Sequence, residues 1–179
     1  MSIFNSIQHF FYKQALKRKK KTANGNLSTM NFSKAKSIAV IFYAGKEQDS
    51  DYRRPVLHYI ESLRKTGKAI SPIAFVDESK LTENLGFDAF SKKELNWVQL
   101  PKGTVVEQFL SNDYDILLCL YLDRHPGLEF LAETCAAHMK LGFYKGENAF
   151  QADAMVHNKN NDLSQALRQL DELLKMINN

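Results

Sequence analysis

From residue 37 onward, two spacings of apolar residues alternate along the chain. Ser37–Tyr43 (SIAVIFY) and Tyr114–Leu122 (YDILLCLYL) are nearly continuous apolar runs of strand length, the pattern of strands covered on both faces of a parallel sheet. Ile70–Val76 (ISPIAFV) predicts another strand, with Pro72 marking its start or an edge position. Between them, Asp51–Thr66 carries Val56, Tyr59, Ile60 and Leu63 at helical spacing, with Pro55 in its first turns and Gly67 past its end. Val105–Leu110 predicts a short helix, and Gly127–His138 a longer one with Leu128, Leu131, Ala132 and Cys135 on its stripe. Lys140–Tyr144 and Ala154–Val156 predict short strands. Asp162–Ile177 closes the chain as a helix whose apolar face includes Leu163, Leu167, Leu170 and Leu174. Residues 78–101 predict a mixed connection with one short strand at Trp97–Leu100.

Strands alternating with helices imply right-handed βαβ crossovers. The expected fold class is therefore α/β, with a Rossmann-like, mainly parallel sheet and flanking helices forming a single domain over residues 37–179. Ahead of it, residues 1–22 predict an amphipathic helical arm. At 100° per residue, Ile3, Phe4, Ile7, Phe10, Phe11 and Ala15 share one face, opposite His9 and Lys13. Residues 23–36, with Asn24-Gly25 and several Ser, Thr and Asn, predict a linker.

Charge sharpens this division. Residues 1–46 hold nine basic residues and no acid, leaving 15 basic and 20 acidic residues in the remainder, a net charge of −5. A basic arm precedes an acidic body. Lys13, Lys17, Arg18, Lys19, Lys20 and Lys21 are the candidate polyanion-binding residues, suited to the phosphates of RNA, DNA or anionic lipid. The same arm can alternatively pack its aromatic stripe on the protein's own body, on a partner groove or in a membrane interface.

Composition excludes several classes. At 179 residues and 44% hydrophobic, the chain is long enough to bury its own core without metal or disulfide, and too apolar for a disordered chain. The longest apolar run, Ile116–Leu122, has seven residues. A membrane-spanning helix needs about 20, so no transmembrane segment is expected. A secretory signal would place its positive charge ahead of the apolar stretch; here Phe10, Phe11 and Tyr12 precede Lys17–Lys21. Cys119 and Cys135 suit a reduced, cytoplasmic setting as small core residues.

Ligands of open α/β sheets bind at the carboxyl ends of the strands. That rule selects a crevice of Lys46, Asp49, Arg53 and Arg54 after the first strand, Asp77 after the second, and Asp123, Arg124 and His125 after Tyr114–Leu122. Asp49 and His125 are the candidate catalytic residues. The loop AGKEQDSD lacks G-x-G-x-x-G, and no Walker A motif, G-x-S-x-G elbow or Cys/His zinc spacing occurs. Neither a metal nor a cofactor is expected. His9, His58 and His157 have no supporting neighbours in the sequence.

Two stretches, Ser37–Leu63 and Tyr114–Phe143, resemble the N-terminal half of heptosyltransferase-type GT-B glycosyltransferases. They share a strand, a loop and a proline-bearing helix, then a "YD" strand, a small-residue helix and a "GF" strand. The resemblance places Asp49 where that family has a loop aspartate proposed as base, although Gln48 replaces the preceding glycine. The donor-binding second domain has no counterpart in these residues, so a half-transferase fold without the transferase reaction is implied. As a whole, the sequence also resembles a family of uncharacterised bacterial proteins with the same basic N-terminal helix and an FLAETCAAHMKLGFY-type segment.

Three functions follow as expectations. The first is a non-enzymatic cytoplasmic binding protein whose arm contacts RNA or ribosome phosphates, with salt-dependent, sequence-independent affinity. The second is a peripheral protein held by the arm at the anionic inner-membrane surface. The third is a small-molecule-binding, glycosyltransferase-like module using the crevice around Asp49 and His125.

Overall fold

The computed structural model describes residues 32–81, 85–147, 149–150 and 152–177. The arm, and the part of the linker before residue 32, lie outside the described residues. Six strands form one sheet: β1 (Ser37–Tyr43), β2 (Ala69–Phe75), β3 (Asp88–Phe90), β4 (Asp113–Leu120), β5 (Ala136–Phe143) and β6 (Ala154–Val156). Their order is β3-β2-β1-β4-β5-β6, and every pairing is parallel. That order is the one found in doubly wound dinucleotide-binding sheets, with its direction reversing between β1 and β4.

Helices α1 (Ser50–Arg64) and α4 (Leu163–Met176) cover one face, and α2 (Thr104–Leu110) and α3 (Pro126–Thr134) the other. Alternation along β1 explains both layers. Ile38, Val40 and Phe42 face α1 and α4, meeting Val56, Ile60, Leu167 and Leu170. Ala39 and Ile41 face α2 and α3, meeting Val106, Leu128 and Leu131. All five of these β1 residues are fully buried, as a strand with helices on both sides requires.

Three expectations need correction. No strand forms at Trp97–Leu100; the strand of that connection is Asp88–Phe90. Residues 95–101 instead make a tight loop closed by a single Leu95–Pro101 bridge. There the Asn96 side-chain oxygen accepts the Val98 and Leu100 N–H groups, both at 3.0 Å, and Gln99 takes φ 62°. The local amide captures donors that a ladder would need.

The helix expected over Gly127–His138 stops at Thr134, and the strand expected to start at Lys140 starts at Ala136. β4 presents an edge from Asp113 onward, and pairing Asp113 with Ala136 gains ladder bonds that further helical residues cannot offer. The Lys140 ammonium then bonds the carbonyl oxygens of Ala132 (2.8 Å) and Glu133 (3.3 Å), closing the helix end.

Pro72 lies within β2 rather than at its start, yet its edge character holds locally. It pairs with Val40 on one side, while β3 begins pairing only at Ile73 on the other. Cys119 and Cys135 are free thiols inside the core, and burial pushes the pKa of each up to about 12. Among the described residues, no helix is long and apolar enough to cross a membrane.

Candidate functional site

At the carboxyl edge of the sheet, the loops continue the parallel pairing beyond the strands. The Ala44 N–H bonds the Phe75 carbonyl, Asp77 N–H the Gly45 carbonyl, and Lys92 N–H the Glu78 carbonyl, all at 2.9 Å. Gly45, at φ 71°, supplies the left-handed turn that leads out of β1. These bonds bring Asp77 and Lys92 side by side, and their ion pair closes at 2.5 Å. Lys92 opens a 3-10 turn over Lys92–Glu94, held by a cap in which the buried Ser91 hydroxyl and N–H both donate to Glu94 while the hydroxyl oxygen accepts the Lys93 N–H at 3.3 Å.

His125 arrives from the loop after β4. Its ring stacks on Tyr43 with centroids 4.3 Å apart and planes at 17°, and lies 6.0 Å from the Phe75 ring. Burial lowers its pKa, outweighing the Asp123, Asp77 and Glu129 carboxylates that act the other way. The imidazole is therefore neutral at pH 7, with one nitrogen donating and the other accepting. Asp77 is held below the usual carboxylate range, chiefly by the Lys92 hydrogen bond and then by Lys92 charge, the Tyr43 hydroxyl at 3.4 Å and Lys46.

Between these groups lies a cleft of about 370 Å³. Phe75, Asp77, Lys92, Asn96, Gln99, His125 and Gly127 are among its lining residues. Gly127 sits at a close approach: a Cβ there would stand 3.2 Å from Leu95 Cδ2, so the Leu95 side chain would have to give way slightly, and 3.6 Å from the Gln99 carbonyl. Its bare Cα lets the 95–101 loop rest on the start of α3 and shape the rim.

The expected crevice is thus divided. Asp77 and His125 line the cleft, and the charge of Lys46 reaches Asp77. Asp49 instead occupies the N-cap of α1, exposed, where its carboxylate accepts the Lys46 N–H at 3.2 Å. Arg53 donates to the carbonyls of Lys46 (3.0 Å) and Glu47 (2.8 Å), fixing the first loop. Arg54 pairs with Asp51 on the exposed face of α1. Asp123 is exposed, and Arg124 grips the buried Glu129 carboxylate with two bonds of 3.0 and 3.1 Å. Lys13, Lys17, Arg18, Lys19, Lys20 and Lys21 lie outside the described residues.

The structure adds Tyr43, Phe75, Lys92, Asn96, Gln99 and Gly127 to the site. Only Lys92 carried a readable signal, the S-K-K-E capping box at Ser91–Glu94. Among the described residues no group of three His, Cys, Asp or Glu side chains is placed to hold a metal ion.

The Tyr114-Asp115 pair has a role at the opposite edge of the sheet. Tyr114 donates to the Phe109 carbonyl at 3.1 Å, and Asp115 ties the start of β1 to β4. Comparison with known families matches residues 7–177 to the family of unknown function DUF6913. The chain belongs to the DUF6913 family. No curated protein matches it. The DUF6913 match gives no support to a glycosyltransferase relationship.

Proposed function

We propose that the body of this DUF6913 protein is a binding module for a small polar metabolite held in the cleft between Asp77 and His125. One observation carries this reading. A half-buried, neutral imidazole, with no hydrogen bond to its ring nitrogens among the described residues, stacks on Tyr43, whose hydroxyl reaches the Asp77 carboxylate of the Asp77–Lys92 pair. It does so beside the β1/β4 switch point, where open α/β sheets bind their ligands. The cleft volume is at the lower end of the range for small-molecule sites, about 300–1,000 Å³. The ligand class follows from the lining: a planar group against His125 and Phe75, with donors and acceptors toward Lys92, Asn96 and Asp77.

The test is a titration with nucleoside monophosphates, sugar phosphates and small carboxylic acids, followed by NMR at the His125 ring and Gly127 amide. At least one class should shift both signals in the native chain, and the Gly127 response should be lost in His125→Ala and in Asp77→Asn. A flat response across all three classes would reject the cleft as a binding site.

A second reading rests on a separate observation, the nine cations without an acid in residues 1–46. In it, the arm contacts RNA or ribosome phosphates, and the protein acts as a non-enzymatic binding protein. Replacing Lys17, Arg18, Lys19, Lys20 and Lys21 by Gln should then abolish RNA co-sedimentation at low salt, and normal co-sedimentation by that variant would refute it. The aromatic stripe supplies the alternative of anionic-membrane attachment, which flotation with anionic vesicles would detect.

A further inference from the structure

On the face of the sheet away from α2 and α3, a long groove runs between α1 and α4, with a volume of about 800 Å³. Its floor is apolar, built from Pro55, Tyr59, Leu63 and Leu167, and its end is formed by Phe32. The Tyr59 hydroxyl is buried there and makes no hydrogen bond among the described residues. Phe32 is also the point from which residues 1–31 lead away, and the Lys68 ammonium sits over its ring at 4.7 Å.

We infer that this groove is the docking site for the apolar stripe of the protein's own N-terminal arm, Ile3 to Ala15. The dimensions agree. Along α1 the groove runs from Arg54 to Thr66, and the stripe from Ile3 to Ala15, each a separation of 12 residues and about 18 Å as helix. The span of residues 23–31 reaches at most about 30 Å when extended, so the arm can turn back onto the groove from Phe32. An amphipathic helix laid over two helices buries its stripe and leaves the opposite face in water. On this arm that outer face bears His9 and Lys13.

Docking therefore leaves Lys13 on the outside while it withdraws Phe4, Phe10 and Phe11 from any membrane. The partner class is intramolecular: an aromatic, basic helix of the same chain. Neither the cleft ligand nor the RNA contact is needed for it, so the inference stands or falls separately from them.

The test uses the full chain carrying Ser164→Cys, an exposed position on the groove wall, and a chromogenic thiol reagent. Cys119 and Cys135 are buried with raised pKa values and stay silent on this timescale. Adding Phe4→Ser, Phe10→Ser and Phe11→Ser should speed the reaction of the introduced groove thiol about tenfold, the factor for a docking equilibrium of about 1.4 kcal/mol. A chain carrying Ser79→Cys instead, exposed away from the groove, should show no such change. Equal rates at the groove thiol with and without the three serine changes overturn the inference. Protection that grows with protein concentration also overturns it, since the occupant is then the arm of a second copy. Independently of the serine changes, a nitroxide attached to the groove thiol should broaden the ring signals of Phe4, Phe10 and Phe11, and sharp rings would contradict docking.

Discussion

Gly142→Val should lower the melting temperature by roughly 6–12 °C, as an overpacking cost of about 3 kcal/mol implies for a chain of this size. Gly142 sits in β5 directly opposite Cys119 of β4. A Cβ on it would stand 3.0 Å from Cys119 Cβ and 3.2 Å from the Cys119 carbonyl oxygen. The second of these contacts is backbone within the sheet, and it cannot swing aside as a long side chain would. Valine adds two further methyl groups to the same point, so β4 and β5 must separate or one must bend. Alanine at this position should cost less, since it brings the Cβ alone. Thermal unfolding followed by circular dichroism checks the pair, and a Gly142→Val chain that melts with the native one would refute the close packing of β5 on Cys119.

The second large effect concerns Asp115 at the opposite edge of the sheet from the cleft. One carboxylate oxygen accepts the Lys36 N–H at 2.7 Å, the Ser37 N–H at 3.0 Å and the Ser37 hydroxyl at 3.2 Å. The Asp115 N–H in turn donates to the Ser37 hydroxyl oxygen at 3.1 Å. Burial alone would raise the Asp115 pKa, but these backbone and hydroxyl donors prevail and lower it. The folded pKa is thus below the unfolded one. Its stabilisation is complete above the unfolded value, about 3.9, and is lost as pH falls through the folded value. Asp115→Asn should therefore cost about 2 kcal/mol at pH 7, within the range for hydrogen bonds to a charged group. The gap between the native and Asn chains should narrow as pH falls below 4. Urea unfolding at pH 7, 5 and 3 measures it, and a gap independent of pH would mean the charge contributes nothing.

Asp115 has a role that becomes visible only with its neighbours in space. The Tyr114-Asp115 pair sits at the start of a strand, so it lies at the amino edge, away from the carboxyl edge where ligands bind. Its partners Ser37 and Lys36 are 78 and 79 residues distant in the chain. Asp77 and His125 do reach the cleft wall, because the carboxyl-edge rule depends only on knowing where strands end. Asp49, Arg53 and Arg54 met the same rule, yet the first loop turns their side chains to its own backbone and to α1.

The order of residues along the chain is enough for the alternation of strands and helices, the doubly covered character of β1 and β4, and the positions of α1, α2 and α4 within about two residues. Those features follow from apolar periodicity, which local sequence carries in full. It also determined the charge division between arm and body, which is a matter of counting. Packing in three dimensions sets where α3 gives way to β5, because the free edge of β4 competes with helix propensity for Ala136 and the residues after it. It alone decided the 95–101 loop, where Asn96 takes two backbone donors and Gly127 makes room for Leu95. The cleft belongs to the same class. Asp77, Lys92 and His125 come from loops after three different strands; the first two meet because β2 and β3 are neighbours, and His125 joins them across the end of β1, where its ring stacks on Tyr43.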